Sequence, residues 1–162
     1  MKMLFPMLAA GAAFMHASAF AADASRPQII EFGASVASME AALSARCLTQ
    51  SKRETEPFLP AHKTQMQIDC EGFDYFGGAH KAEFIFGDDR LIIVWILTGE
   101  EVEDALDRAF RKSFGEPTHI SADFVAFADN NTAIRKEPAE VLFYGDEVAD
   151  AFRGWFDSQT AN

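Results

Sequence analysis

The side chains able to do acid–base or metal chemistry are spread along this sequence rather than grouped. His62, His80 and His119 lie in or beside turn-rich stretches, and none belongs to the H-E-x-x-H pattern of zinc enzymes. A zinc site would require the fold to bring His62 and His80 close to Asp69 or Asp74. Nothing in the spacing demands this, so we expect no metal and no cofactor.

Nucleophile and phosphate-binding motifs are missing from the sequence as well. It contains no G-x-S-x-G and no S-x-x-K, and Gly77-Gly78 lacks the lysine and the glycine spacing of a phosphate-binding loop. No pair of carboxylates stands out among the 25 acidic residues. The sequence therefore predicts a non-catalytic protein, with an enzyme whose site is assembled from distant loops as an alternative.

The two cysteines, Cys47 and Cys70, form no C-x-x-C pair and lie in no nucleophile signature. An even number of cysteines in an exported chain favours a disulfide. A bond between them would close a loop of about 24 residues and stabilise the fold by about 3 kcal/mol in the chain-entropy model. We predict that Cys47 and Cys70 are joined.

The N-terminus has the features of an export signal. Lys2 precedes an apolar run from Leu4 to Ala13, and Ala19-Phe20-Ala21 fits the A-x-A cleavage pattern. The run is too short to span about 30 Å of hydrocarbon comfortably. We predict a cleaved signal peptide over residues 1–21 and a periplasmic or secreted protein with no membrane attachment after cleavage.

Length and charge limit the remaining possibilities. After cleavage about 140 residues remain, the size of one domain. We expect an N-terminal extension over 22–34, a single domain over 35–158 and a C-terminal tail over 159–162. The formal net charge of −11 argues against nucleic acid and anionic membranes as partners, because both attract basic surfaces.

Hydrophobic periodicity predicts three helices, over Ser35–Cys47, Gly99–Ser113 and Asp146–Ser158. The second helix has acidic first turns and basic last turns, as the helix dipole favours, and the corner Phe114–Pro117 ends it. The polar stretch Leu48–Lys63, with two prolines, is predicted to be an irregular loop whose ends the disulfide holds.

Alternation and turn residues predict six strands. They are Thr64–Cys70, Lys81–Phe86, Leu91–Leu97, Ile120–Ala128, Thr132–Lys136 and Glu140–Tyr144. The fold class is α+β: a twisted antiparallel sheet of about five to six strands with helices on one face, in the order α-βββ-α-βββ-α. This order and the Phe114–Pro117 corner resemble exported domains built from two helix-plus-sheet repeats, such as the β-lactamase-inhibitor-protein type.

The hairpin "FIFGDDRLIIVWIL" over 84–97 raises the question of what covers its two faces. Pairing Gly87 with Arg90 would set Phe84 opposite Ile93 and Ala82 opposite Trp95. One face would then be wholly apolar, carrying Phe84, Ile93 and Trp95 beneath helices that supply Leu106, Phe110 and Phe152. The other face would be mixed, with charged residues such as Lys81 and Glu83 at its rim.

That second face is the candidate binding surface. It comprises Ile85, Ile92, Val94 and Ile96, together with Phe124 and Arg135, which oppose one another in the predicted register of the next hairpin. If no loop covers it, it would bind an unknown protein partner or form a homodimer. The alternative is a small-ligand carrier with a pocket between sheet and helices or beneath loop 48–63. Sixteen phenylalanines against two tyrosines favour a filled interior over a large cavity.

Overall fold

The computed structural model describes residues 24–57 and 59–160. The predicted signal peptide and the last two residues of the predicted tail lie outside the described residues. The first half comprises α1 (Val36–Leu43), β1 (Thr49–Thr55), β2 (Gln65–Tyr75), β3 (Gly78–Gly87) and β4 (Arg90–Leu97). The second half comprises α2 (Glu103–Phe114), β5 (His119–Ile120), β6 (Phe124–Phe127), β7 (Thr132–Lys136), β8 (Ala139–Tyr144) and α3 (Asp146–Thr160).

One antiparallel sheet of eight strands runs through the molecule, in the order β1-β2-β3-β4-β8-β7-β6-β5. Each half of the chain thus forms a four-stranded meander, and the meanders join where β4 pairs with β8. The α+β class is confirmed, but the predictions of five to six strands and of three strands per half are wrong. Two strands were missed: β1 lay in the predicted loop 48–63, and the two-residue β5 lay in one long predicted strand.

The missed strand β1 is an edge strand with an unusual sequence. Its residues, Thr49–Thr55, read TQSKRET, and most are exposed. Lys52 bonds Glu40 and Arg53 pairs with Asp69, so its charges are held against neighbouring elements. Charged residues on an edge strand discourage pairing with other chains. The same residues remove the apolar alternation by which a strand is recognised.

The helices lie on both faces of the sheet, not on one as predicted. A first core on one face includes Met39 and Leu43 of α1 and Leu106 and Phe110 of α2. A second core on the other face contains Val148, Phe152 and Phe156 of α3, packed on residues of β4, β6 and β8. Strands in the middle of the sheet are therefore buried on both sides, which explains their continuous apolar sequence.

The β3–β4 hairpin contains a bulge that changes which side chains face which core. Phe86 pairs with Leu91, but Ile85 pairs with Ile93, so Ile92 is an extra residue in β4. Because successive residues of a strand face opposite sides, one inserted residue exchanges the faces of everything beyond it. The predicted pairs Phe84–Ile93 and Ala82–Trp95 are wrong: Phe84 pairs with Val94, and Ala82 with Ile96.

Two other local predictions, the disulfide and the register of the second hairpin, are confirmed. Cys47, just after α1, is bonded to Cys70 of β2, with 5.3 Å between their Cα atoms. In the β6–β7 hairpin Phe124 pairs with Arg135, as the predicted register requires. Among the helices of the described residues, none combines the length and the apolar character needed to cross a membrane.

Candidate functional site: a groove between α3 and the sheet

A groove of about 400 Å³ lies between α3 and the strands β3 and β4. The sheet supplies its floor and α3 supplies a wall, while the connection between β1 and β2 adds a side chain at the margin. Its lining comprises Leu59, Ile85, Ile93, Trp95, Arg135, Ala151, Phe152 and Trp155. The volume falls in the range of pockets that hold small molecules, roughly 300–1,000 Å³.

The wall is made by an aromatic cluster that anchors α3. Phe152 stacks on Tyr144 of β8 with 4.5 Å between ring centroids, and Phe156 lies 4.8 Å from Phe124. Trp155 precedes Phe156 in the sequence and lies at the edge of this buried helical face. Its ring centroid is 5.2 Å from that of Phe124, and the residue is 39% exposed. Its indole therefore packs against Phe124 on one side, lines the groove and is partly exposed to solvent.

The margin that carries Leu59 is held by polar contacts. One carboxylate oxygen of Asp88, in the β3–β4 turn, accepts hydrogen bonds from the backbone N–H groups of Lys63 and Thr64 at 3.0 Å. These bonds, led by the one from Thr64, lower the pKa of Asp88. His62 Nε2 lies 3.3 Å from Glu147 Oε1 at the start of α3. The segment that carries Leu59 is thus held by contacts with the β3–β4 turn and with the start of α3.

Arg135 is the only charged residue among the described residues that line the groove. Its guanidinium lies over the Trp95 ring, with 4.6 Å between Cζ and the ring centroid, a cation–π arrangement. Nη2 forms an ion pair with Oε1 of Glu140, which is 3% exposed. The Nε of Arg135 is buried and has no hydrogen-bond partner among the described residues.

Burial decides the protonation of Glu140. Removal of the carboxylate from water raises its pKa to about 7, and the Arg135 charge opposes that rise without cancelling it. Glu83 of β3 adds a second negative charge that raises the Glu140 pKa further. As pH falls through about 7, Glu140 therefore takes up a proton and its ion pair with Arg135 is lost.

The histidines do not group into a metal site in the described parts of the chain. His80 Nε2 lies 3.1 Å from the carbonyl oxygen of Tyr75, and His119 Nε2 lies 2.9 Å from Asp157 Oδ1. The fold therefore does not bring His62 and His80 together with Asp69 or Asp74 into a zinc site. Within residues 24–57 and 59–160, no three His, Cys, Asp or Glu side chains are grouped to hold a metal ion.

The six residues of the predicted binding face do not share one face of the sheet, because the bulge at Ile92 turns Val94 and Ile96 to the other side. Val94 and Ile96 belong to the first core, on the side of α1 and α2, which corrects their predicted placement. Ile92 and Phe124 lie in the second core, covered by α3. Of the predicted surface, Ile85 and Arg135 alone line the groove.

Sequence reasoning missed the groove residues contributed by β4 and α3. The sequence places Trp95 beneath Leu106, Phe110 and Phe152. Only Phe152 lies on its side of the sheet, whereas Leu106 and Phe110 lie on the other. One signal for Trp155 was available. Phe152 and Phe156 are already four residues apart on one helical face, so a third large aromatic between them widens the apolar stripe beyond what packing needs.

Comparisons of the chain with protein-family models, with curated proteins and with solved structures find no match.

Proposed function

We propose that the protein is an exported, non-catalytic domain that binds a small apolar ligand in the groove between α3 and the sheet. One observation supports this above all: a groove of about 400 Å³ whose described lining is aromatic and aliphatic except for Arg135. Apolar walls with one polar group are the usual composition of a small-molecule site.

The energetics favour an apolar occupant. Trp155 is 39% exposed and Trp95 is partly exposed, so water contacts both indoles in the free protein. Each 100 Å² of apolar surface removed from water contributes about 2.5 kcal/mol before the costs of association. A planar or branched apolar body between the indoles would exclude this water.

A protein partner or a second copy of the chain is the rival occupant. The open sheet face on which that prediction rested is covered by α3 at Ile92 and Phe124. A concave groove suits a small body better than the broad contact of a standard protein interface, which buries about 800 Å² per partner. A partner would have to insert a single large side chain here.

The test uses N-phenyl-naphthylamine, an uncharged aromatic amine whose emission rises in apolar surroundings. The wild-type protein should bind it saturably with one-to-one stoichiometry. Trp155→Ala should weaken binding about 5-fold or more, because it removes one wall of the site. Leu48→Ala is the matched control, since Leu48 is 84% exposed and lies outside the groove. Equal binding by both variants, or dimerisation that the amine prevents, would overturn the proposal.

A further inference from the structure

Resting on this proposed function, we propose that the ligand is an anionic amphiphile, with its apolar body between Trp95 and Trp155 and its anionic group bound by Arg135 in competition with Glu140. The proposal deepens the assignment of the groove by naming the charge of the ligand and the group that recognises it.

Arg135 has unused hydrogen-bonding capacity at the groove. A guanidinium carries five N–H donors, and the contacts within the described structure are the ion pair from Nη2 to Glu140 and the face of the Trp95 ring. The Nε group also has no partner among the described residues, but it is buried, so the donors left for a ligand are those of the two Nη groups that Glu140 does not take. A carboxylate or sulfonate can accept two parallel bonds from such a fork, which neutral groups do not match in strength.

The charge of the lining favours an anion over a cation or a neutral polar group. Arg135 is the single charged residue among the described lining, in a chain whose formal net charge is −11. An acidic protein gains nothing in solubility from a lone cation placed over an indole. Its side chain is 33% exposed, so an incoming anion can reach the guanidinium without opening the core.

Glu140 is the internal competitor for Arg135. It faces Arg135 directly across β7 and β8 and is almost fully buried. The other charged group that acts on it is Glu83 of β3, which is itself bonded to Lys81 at 2.7 Å. When Glu140 is ionised, it neutralises Arg135; when it is protonated, the guanidinium charge is free for the ligand.

This competition couples ligand binding to a proton. The pKa of Glu140 is about 7 in the free protein. An anion on Arg135 removes part of the charge that keeps Glu140 ionised, so binding near neutral pH should take up a proton. By linkage, the affinity for an anion should rise as pH falls through about 7.

The experiment compares two probes with the same ring system, N-phenyl-naphthylamine and anilinonaphthalene sulfonate, which differ by one sulfonate. The sulfonate stays ionised throughout, so any pH dependence belongs to the protein. For the wild type, we expect the affinity for the sulfonate to be about 3-fold or more higher at about pH 6 than at about pH 8.5. The affinity for the neutral amine should change less than about 2-fold.

Three variants identify the groups. Arg135→Gln should weaken the sulfonate about 10-fold and the amine by a much smaller factor, because the amine loses only a contact with the groove wall. Glu140→Gln should bind the sulfonate at high pH as tightly as the wild type does at low pH. Arg135→Gln leaves the buried Glu140 carboxylate without its ion-pair partner and should therefore destabilise the fold. The double variant Arg135→Gln/Glu140→Gln removes both charges and serves as the folded comparison.

The outcomes separate the two proposals. If the amine binds in the groove but Arg135→Gln and the double variant weaken both probes equally, the anionic ligand is refuted and the apolar site stands. If Glu140→Gln leaves the pH dependence of sulfonate binding intact, the competition is refuted. If neither probe binds saturably, the site itself fails and the inference fails with it.

Discussion

Trp95 of β4 and Trp155 of α3 line the same groove, one from the sheet and one from the helix that covers it. They are also the only two tryptophans in the sequence. The tryptophan fluorescence of the protein therefore comes from the groove alone. Occupancy can be followed without a label, and any variant that keeps both indoles retains the signal.

Filling the groove from α3 should block it. Ala151 lines the groove and is exposed, so Ala151→Phe adds a ring where the ligand would lie without displacing a core residue. We expect apolar-probe affinity to fall about 10-fold or more, with stability changed by less than about 1 kcal/mol. Titration of tryptophan fluorescence measures the first effect and urea unfolding the second.

The matched control is Ala42→Phe, the same exchange at an exposed position of α1. It carries the same cost in helix propensity and lies away from the groove. Unchanged binding by Ala151→Phe, or an equal loss in both variants, would show that the groove is not the site.

Truncation of a core aromatic side chain should lower the free energy of unfolding more than truncation of an aromatic side chain in the groove. Phe110 is fully buried and lies within 5.5 Å of the Phe114 and Phe127 rings. Phe110→Ala should lower the free energy of unfolding by about 3–5 kcal/mol. Trp155→Ala should cost less, about 2 kcal/mol, because its ring packs on Phe124 and Phe156 but is partly in water. Urea unfolding of both variants tests this, and a larger loss for Trp155→Ala would contradict the described packing.

The Cys47–Cys70 bond should contribute to stability but not to binding. It closes a loop that contains the whole of β1, and both sulfurs lie on the first-core side of the sheet. The double variant Cys47→Ser/Cys70→Ser should lose about 3 kcal/mol of unfolding free energy, while its folded fraction binds the neutral probe normally. Alkylation of the denatured wild type without reductant should add no mass; addition of two labels would refute the bond.

Glu140 should make stability fall as pH rises. Its native pKa is about 7 and its ordinary value is 4.5, so between these values the folded protein holds a proton that the unfolded chain has released. The unfolded state then binds fewer protons, and the free energy of unfolding decreases with pH. This contribution is complete below about pH 4.5 and is lost as pH rises through about 7, by at most about 3 kcal/mol.

Glu140→Gln isolates this effect from the titration of other groups. The stability difference between wild type and variant should shift in favour of the variant from about pH 5 to about pH 8.5, measured by urea unfolding at several pH values. A difference that does not depend on pH would mean that Glu140 titrates normally and that Arg135 is neutralised throughout.

The local patterns that could be predicted are those with one buried face. The helix stripe of Val36, Met39 and Leu43 and the Phe124–Arg135 register both follow from alternation between apolar and polar residues. The disulfide followed from cysteine count and the predicted export. For the helix and the hairpin, the contrast between the two sides of the element carried the information.

A pocket between the sheet and the helices was one alternative from the sequence, but the residues that line it could not be predicted because β4 has no such contrast. Its sequence RLIIVWIL is apolar on both faces, so the extra residue Ile92 leaves no mark in the pattern. The apolar residues on its second face were interpreted as an open binding surface, whereas α3 covers that face. That α3 covers the second face, and not the first, depends on how the two meanders join at β4 and β8, which local sequence does not encode.

Energy transfer from Trp95 and Trp155 to bound N-phenyl-naphthylamine tests the proposed site most directly, because donor and acceptor would share one groove. Titration of the wild type should quench tryptophan emission and raise probe emission in parallel, saturating at one probe per chain, and Ala151→Phe should abolish both changes. Absence of saturable transfer in the wild type, or full transfer in Ala151→Phe, would contradict a ligand site between α3 and the sheet.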